Sequence, residues 1–256
     1  MPFKPSRKLS VLDQAISSAM SRIVDPLVGN GSLDMTLIEN SPQLQAAEME
    51  KCKVDFIYWC GKYFYTFAPR IEDENKREAT FKLWPRQVEL HHWADERSAK
   101  AQVGLCQKSR DSGLSVYFCA RFTHKWLFQK GFVGSLGSHV EEKLDKLGDM
   151  SSLMEKIRFA LRRMPLWMLP KGIIFNKHLM HRRIINPDNG NVISGEIGDQ
   201  IGRGGRATEA AVDEAAYLEH PDLVEASLTA NTPRRFYIST PNGLNNWFHN
   251  KSRSLP

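Results

Sequence analysis

Long apolar runs are missing from this 256-residue sequence. None approaches the roughly 18 residues of a membrane-spanning helix, which excludes a helical membrane protein. The basic start, Met1-Pro2-Phe3-Lys4-Pro5-Ser6-Arg7-Lys8, is not followed by an apolar stretch, so no secretory signal is expected. Cysteine is scarce: the four are Cys52, Cys60, Cys106 and Cys119. They form no CxxC pair and no zinc-type Cys/His spacing, which suggests neither a disulfide framework nor a metal cage. A reducing cytosol is the simple inference. Internal repeats, low-complexity segments and a domain-splitting linker are also absent.

What is present is an ordinary globular composition, 41% hydrophobic and 25% charged. The chain is long enough for one large α/β domain or two small ones. Lys and Arg number 35 and Asp and Glu 29, so the net charge is 35 − 29 = +6. That permits an acidic partner such as nucleic acid without demanding one. The charge is unevenly placed. Lys156, Arg158, Arg162, Arg163, Lys171, Lys177, Arg182 and Arg183 form a run with no acid between them. Glu209, Asp213, Glu214, Glu219, Asp222 and Glu225 form the opposite run. A basic face beside an acidic pocket suits a protein that meets a polyanion on one side and a cation on the other; two solvated surfaces would give the same pattern.

Periodicity predicts a peripheral N-terminal region, residues 1–53, and a core over 54–256. An amphipathic helix is expected at Ser10–Ile23 and a second at Pro42–Lys53, followed by an aromatic-rich stretch over 54–70. Pro85 opens a helix at its first position. The elements that follow alternate. Strands are expected at Ala101–Cys106 and Gly131–Leu136, and helices at Ser115–Lys130 and Val140–Leu147. A helix over Ser151–Met164 has Ser151 as N-cap and Pro165 as stop. Residues 173–196 read as β structure with a turn at Asn186–Gly190. A short strand Ala210–Val212, a helix Pro221–Ala230 and a strand Arg235–Ser239 complete the chain. The alternation predicts a mostly parallel sheet with crossover helices.

The loop Lys108-Ser109-Arg110-Asp111-Ser112-Gly113-Leu114-Ser115 joins a strand to a helix. It partly matches the phosphate-loop pattern GxxxxGK followed by Ser or Thr. Gly113 falls on the second glycine and Ser115 on the hydroxyl position. Lys108 replaces the first glycine and Leu114 replaces the lysine. Backbone N–H groups at the helix start can face a phosphate, and the Ser115 hydroxyl is placed to ligate Mg²⁺. The missing cation can come from Lys108 or from Arg110. A plain strand–turn–helix connection is the alternative.

Val212-Asp213-Glu214 ends an apolar strand in paired carboxylates. In nucleoside-triphosphatases one such acid holds Mg²⁺, directly or through water, and the next orients the attacking water. In open α/β sheets both loops would emerge at the carboxyl ends of the strands. Ser239-Thr240-Pro241-Asn242-Gly243 ends another strand, where Thr240 or Asn242 would sense the terminal phosphate. Gly202-Arg203-Gly204-Gly205-Arg206 is a mobile arginine loop able to reach a phosphate, or DNA. Gln87, behind Trp84-Pro85-Arg86, is positioned to read an adenine edge under an aromatic.

Taken in order, Pro85-Arg86-Gln87, Lys108–Ser115, Gly202-Arg203-Gly204, Val212–Ala216 and Ser239–Gly243 resemble the ATPase domain of the large terminase subunit of tailed bacteriophages. Gly195–Asp199 and Lys143–Asp149 are also terminase-like, and the resemblance covers roughly residues 54–250. That family moves the basic residue of its phosphate loop to the front, which accommodates the two mismatches. The resemblance implies a RecA-like/ASCE P-loop NTPase core, a mostly parallel sheet flanked by helices. It implies Mg²⁺-dependent ATP hydrolysis driving double-stranded viral DNA into a procapsid through the portal protein. The small terminase subunit is an implied partner, as is a homo-oligomeric ring, a pentamer, working in the host cytoplasm and transiently at the portal.

By the same carry-over Lys108 and Arg110 are the phosphate-loop cations, with Ser109, Asp111, Ser112, Gly113 and Leu114 completing the loop. Ser115 and Asp213 hold the metal, Glu214 is the catalytic acid and Arg203 the arginine finger. Gln87 reads adenine and Ser239-Thr240 couples. A complete large terminase carries a C-terminal nuclease, which this sequence does not show, so no nuclease activity is expected of it. The alternatives are a non-hydrolysing DNA-binding scaffold and a helicase-like ATPase.

Overall fold

The structure, a computed structural model, describes residues 35–69 and 71–254. The helix expected at Ser10–Ile23 lies outside the described residues. The chain divides into two compact units, Met1–Cys52 and Lys53–Pro256. The described part of the first holds α1 (Met35–Glu39) and most of α2 (Pro42–Val54).

The second unit begins with α3 (Phe56–Tyr63), whose N-cap Asp55 accepts the Tyr58 N–H at 2.8 Å. A small antiparallel pair follows, β1 (Tyr65–Phe67) and β2 (Glu78–Thr80). After α4 (Pro85–Ala99) come β3 (Gly104–Gln107), α5 (Leu114–Phe128), β4 (Val133–Ser138) and the single turn α6 (Glu141–Leu144). Then come α7 (Leu153–Arg163), the turn α8 (Phe175–His178), β5 (Leu179–Met180), β6 (Arg183–Ile185) and β7 (Val192–Ile197). The described chain ends with β8 (Glu209–Asp213), α9 (Pro221–Asn231), β9 (Arg235–Ser239) and α10 (Trp247–Ser254).

Strands β3 to β9 form one seven-stranded sheet in the order β3-β9-β8-β4-β7-β6-β5. The pairs β3·β9, β9·β8, β8·β4 and β4·β7 are parallel, and β6 and β5 add antiparallel at one edge. All residues of β8 and β9 are buried. Those two strands are near-continuous apolar runs because helices cover both faces of a parallel sheet. This is the mixed α/β architecture the sequence predicts, with the strand of the acid pair separated from the strand of the loop by β9.

Boundaries shift where side chains have other work. Helix α6 stops at Leu144 rather than Leu147 because Asp145 leaves the helix to bury its carboxylate against Arg158. Helix α7 is capped at Ser152, not Ser151, and the Ser152 hydroxyl donates backwards to the carbonyls of Asp149 and Lys146. Strand β3 starts at Gly104 rather than Ala101, since Ala101, at φ 53°, finishes the turn after α4. The stretch expected to be β from 173 opens instead with α8. Its turn is as expected: the Asn186 side chain accepts the Asp188 and Asn189 N–H groups.

The two charge runs are not single-signed surfaces. Arg158 is 2% exposed between Asp145 and Glu155, Arg162 also pairs with Glu155, Arg163 with Glu78, and Arg182 with Glu141. In the acidic run, Glu209 is fully buried in ion pairs with Arg121 at 2.8 Å and Lys125 at 2.5 Å. Glu225 pairs with Lys251. Charges that are distant in sequence thus neutralise one another in part of each run.

Candidate functional site

The loop after β3 and the carboxylates after β8 emerge at the same sheet end, because all four central pairs run parallel. Strand β9 sits between them and joins the two: the Lys108 N–H donates to the Ser239 carbonyl at 2.9 Å. The contact made by the side chains is direct. The Ser115 hydroxyl donates to Asp213 Oδ2 at 2.6 Å. Lys108 Nζ lies 2.9 Å from Glu214 Oε1 and 3.6 Å from Asp213 Oδ1. Ser239 Oγ and Thr240 Oγ1 approach Glu214 Oε2 at 3.3 and 3.4 Å.

Local backbone geometry makes this meeting possible. Gly113 caps α5 at φ 72°, a left-handed conformation that favours glycine. A Cβ there would lie 2.7 Å from Gln87 Nε2, so bare backbone is needed on steric grounds too. Glu214 is itself left-handed at φ 53°, ψ 41°, which is uncommon for a residue with a side chain. The strained turn directs its carboxylate back over the loop, and strain of this kind concentrates at functional positions.

A cavity of about 840 Å³ opens at this point. Its walls include Lys108, Arg110, Asp111, Ser112, Gly113, Leu114 and Ser115 from the loop, and Glu214 and Thr240. Lys143, Lys156, His139 and Tyr217 also line it, as does the segment Thr66–Pro69. Four cations against Asp111 and Glu214 give the cavity a positive balance that suits a polyanion. The Ser112 hydroxyl is buried there with no protein partner.

Charge states agree with the geometry. Burial works against the Glu214 charge, but the hydrogen bond and charge of Lys108, helped by Ser239 and the Thr240 backbone, hold its pKa below the usual carboxylate value. Burial likewise opposes the Lys108 charge, and the Asp213 charge with the Glu214 hydrogen bond outweighs it, raising the lysine pKa. Both groups are therefore ionised at neutral pH.

Hard-oxygen ligands are what Mg²⁺ takes, usually one or two carboxylates completed by substrate phosphates. Ser115 and Asp213 supply a hydroxyl and a carboxylate already in contact. Among the described residues no cluster of three or more His, Cys, Asp or Glu gathers as a closed metal cage. The donor set thus fits a metal held jointly with a phosphate ligand.

Gln87 and Arg203 do not line this cavity; Gln87 lines a second one between the loop, α4 and β3. Gln87 is 3% exposed, its Oε1 accepts the Trp84 N–H at 3.0 Å, and its Nε2 donates to the Ser112 carbonyl at 2.8 Å. Both ends of the amide are bonded within the chain, and Gln87 braces the loop from the wall of the second cavity. Arg203 is exposed and does not line the cavity of its own chain. Its loop is instead tied from behind: Glu196 accepts the Gly202 N–H, and Asn231 donates to the Gly202 and Gly205 carbonyls and accepts the Ala207 N–H.

Ser109 faces the same second cavity, of about 540 Å³, between the loop, α4 and β3. Arg110, Asp111, Ser112 and Leu114 line both cavities. Lys143, Lys156, His139 and Tyr217 were not singled out from the sequence as site residues. His139 carried a signal, since it directly follows a parallel strand at its carboxyl end. The described residues contain no helix long and apolar enough to cross a membrane.

No family model and no curated protein matches the chain. Among solved structures it is similar to the large terminase of bacteriophage HK97, at 10% identity and a TM-score of 0.48, over 73% of this chain. It spans only 37% of that terminase's length. It is also similar to the large terminase ATPase domain of Thermus phage P74-26, at 18% identity and a TM-score of 0.45, over 66% of this chain and 68% of that one. A helicase of the virus PRRSV matches at 15% identity and a TM-score of 0.28, over 66% of this chain and 32% of that one.

Proposed function

We propose that this chain is the ATPase domain of a viral DNA-packaging motor, hydrolysing ATP with Mg²⁺ to move double-stranded DNA. The observation that carries the nucleotide reading is the meeting of Lys108, Ser115, Asp213 and Glu214 at one cavity, with contacts of 2.6 and 2.9 Å. The packaging role rests on the ordered terminase-like motifs. With it go DNA, portal protein, small terminase subunit and a ring assembly as partners.

In this reading the triphosphate lies along the Lys108–Ser115 loop. Backbone N–H groups at the start of α5 and the Arg110 guanidinium meet the phosphates. Lys108 exchanges its acid partners for phosphate oxygens. Ser115 and Asp213 would hold Mg²⁺, which when bound supplies neutralisation of phosphate charge. Glu214, freed from Lys108, orients a water and takes its proton. Ser239 and Thr240, bonded to the same carboxylate, register its movement. The base is placed in the second cavity beside Trp84, whose ring is 59% exposed. Arg203 is exposed and does not line its own chain's cavity, which suits a finger offered to a neighbouring subunit.

The test is phosphate release from ATP by the native chain with Mg²⁺, alone and with double-stranded DNA and portal protein. Mg²⁺-dependent turnover that DNA or portal raises is expected. Nucleotide binding without turnover under every condition would overturn hydrolysis in favour of the scaffold.

A further inference from the structure

The cavity carries a lysine that the proposed reaction has not used. Lys156 projects from α7 and lines the same cavity as Lys108, Ser115 and Glu214. Its amine donates to the carbonyls of Ser151 at 2.7 Å and Ser152 at 3.3 Å. An ammonium has three donors, so one remains. No carboxylate among the described residues lies within ion-pair distance of it. Burial lowers its pKa, while nearby groups, Asp213 among them, pull the other way. The amine is therefore close enough to feel the metal-site carboxylate without touching it. A desolvated cation held only by carbonyls is costly unless an anion completes its shell. Lys143, from α6, is exposed and also lines the cavity.

We propose that Lys156, supported by Lys143, contacts the terminal phosphate of a bound nucleoside triphosphate, and so makes the site distinguish triphosphate from diphosphate. This rests on the triphosphate reading of the cavity. The phosphates nearest the nucleoside are served by the loop and α5, which a diphosphate also engages. In this reading the third phosphate is the one that reaches Lys143 and Lys156 in the cavity. A charge-assisted contact made there is absent from the diphosphate complex.

The experiment is calorimetric titration of the full chain with Mg²⁺ and either ADP or the non-hydrolysable triphosphate AMP-PNP. Native chain and Lys156→Gln are compared, the Gln amide keeping donors for the Ser151 and Ser152 carbonyls. About a tenfold or greater loss of AMP-PNP affinity is expected in Lys156→Gln, with ADP affinity within about twofold. Equal losses for both nucleotides, or no loss for either, overturn the proposal while leaving the ATPase reading intact. A native chain that binds neither nucleotide overturns both. Should Lys156→Gln fail to fold, Lys143→Gln reads the same difference from an exposed position. Unchanged AMP-PNP affinity in that variant would then overturn the proposal.

Discussion

Replacing Glu214 by glutamine removes one proton acceptor and one negative charge while keeping the side chain's size. Two effects follow, and the structure separates them. The first is structural. The Lys108–Glu214 pair, 2.9 Å apart with the side chains 9% and 25% exposed, is lost, while Lys108 keeps Asp213 at 3.6 Å. Such a partly solvated pair contributes about 1 kcal/mol, so the melting temperature falls by about 2–4 °C for a unit of this size. The second is chemical. A positioned general base contributes about 10²–10⁴-fold, or about 2.7–5.4 kcal/mol of barrier. Phosphate release per chain should therefore drop at least a hundredfold. Binding of Mg²⁺ with AMP-PNP should stay within about threefold, or tighten, because Lys108 is released to the phosphates. The assay is phosphate release beside calorimetric binding and thermal melting of the same preparations. Turnover within a few-fold of native, with binding intact, would remove Glu214 from the chemistry.

Three further outcomes are expected. Gly113→Ala forces a side chain onto a backbone at φ 72° and against Gln87, costing about 1–2 kcal/mol in thermal unfolding and weakening nucleotide binding. Adding Gln87→Ala should recover the steric part of that loss, and strictly additive losses would refute the clash. Arg121→Met leaves buried Glu209 with the Lys125 ion pair and the Ser98 hydroxyl, costing about 3–5 kcal/mol by denaturant titration. Burial opposes the Glu209 charge, but Arg121 and Lys125 hold its pKa down at about 2, below the ordinary carboxyl value of 4.5. Its stabilisation is therefore full above about pH 4.5 and lost as pH falls toward 2; unfolding free energy flat across that interval would contradict the pairing. Arg203→Ala should leave nucleotide binding by the isolated chain unchanged and reduce turnover only in assembled motors, as shown by comparing the two states; equal loss in both would place Arg203 in its own chain's site.

The Lys108–Ser115 loop and the Asp213-Glu214 pair were legible because each is a local pattern, a strand end running into a polar turn. Gly113 was legible because helix start and loop meet there. Lys156 was not, because a lysine inside a basic run carries no mark of which way it faces. The Gln87 bond to the Ser112 carbonyl, at 2.8 Å, was not legible, because sequence shows an amide near an aromatic and not what lies opposite it in space.

Sequence alone determined the alternation of strands and helices, the two halves of the candidate site and the mostly parallel sheet. These follow from hydrophobic period and turn chemistry, which act over a few residues. Tertiary structure decided which charges are free. Glu209 and Asp213 open and close the same five-residue strand, yet one is sealed in the core by Arg121 and the other meets Ser115 at the cavity. Coulomb attraction selects partners by distance in space, and only the inserted β9 and the packing of α5 set those distances.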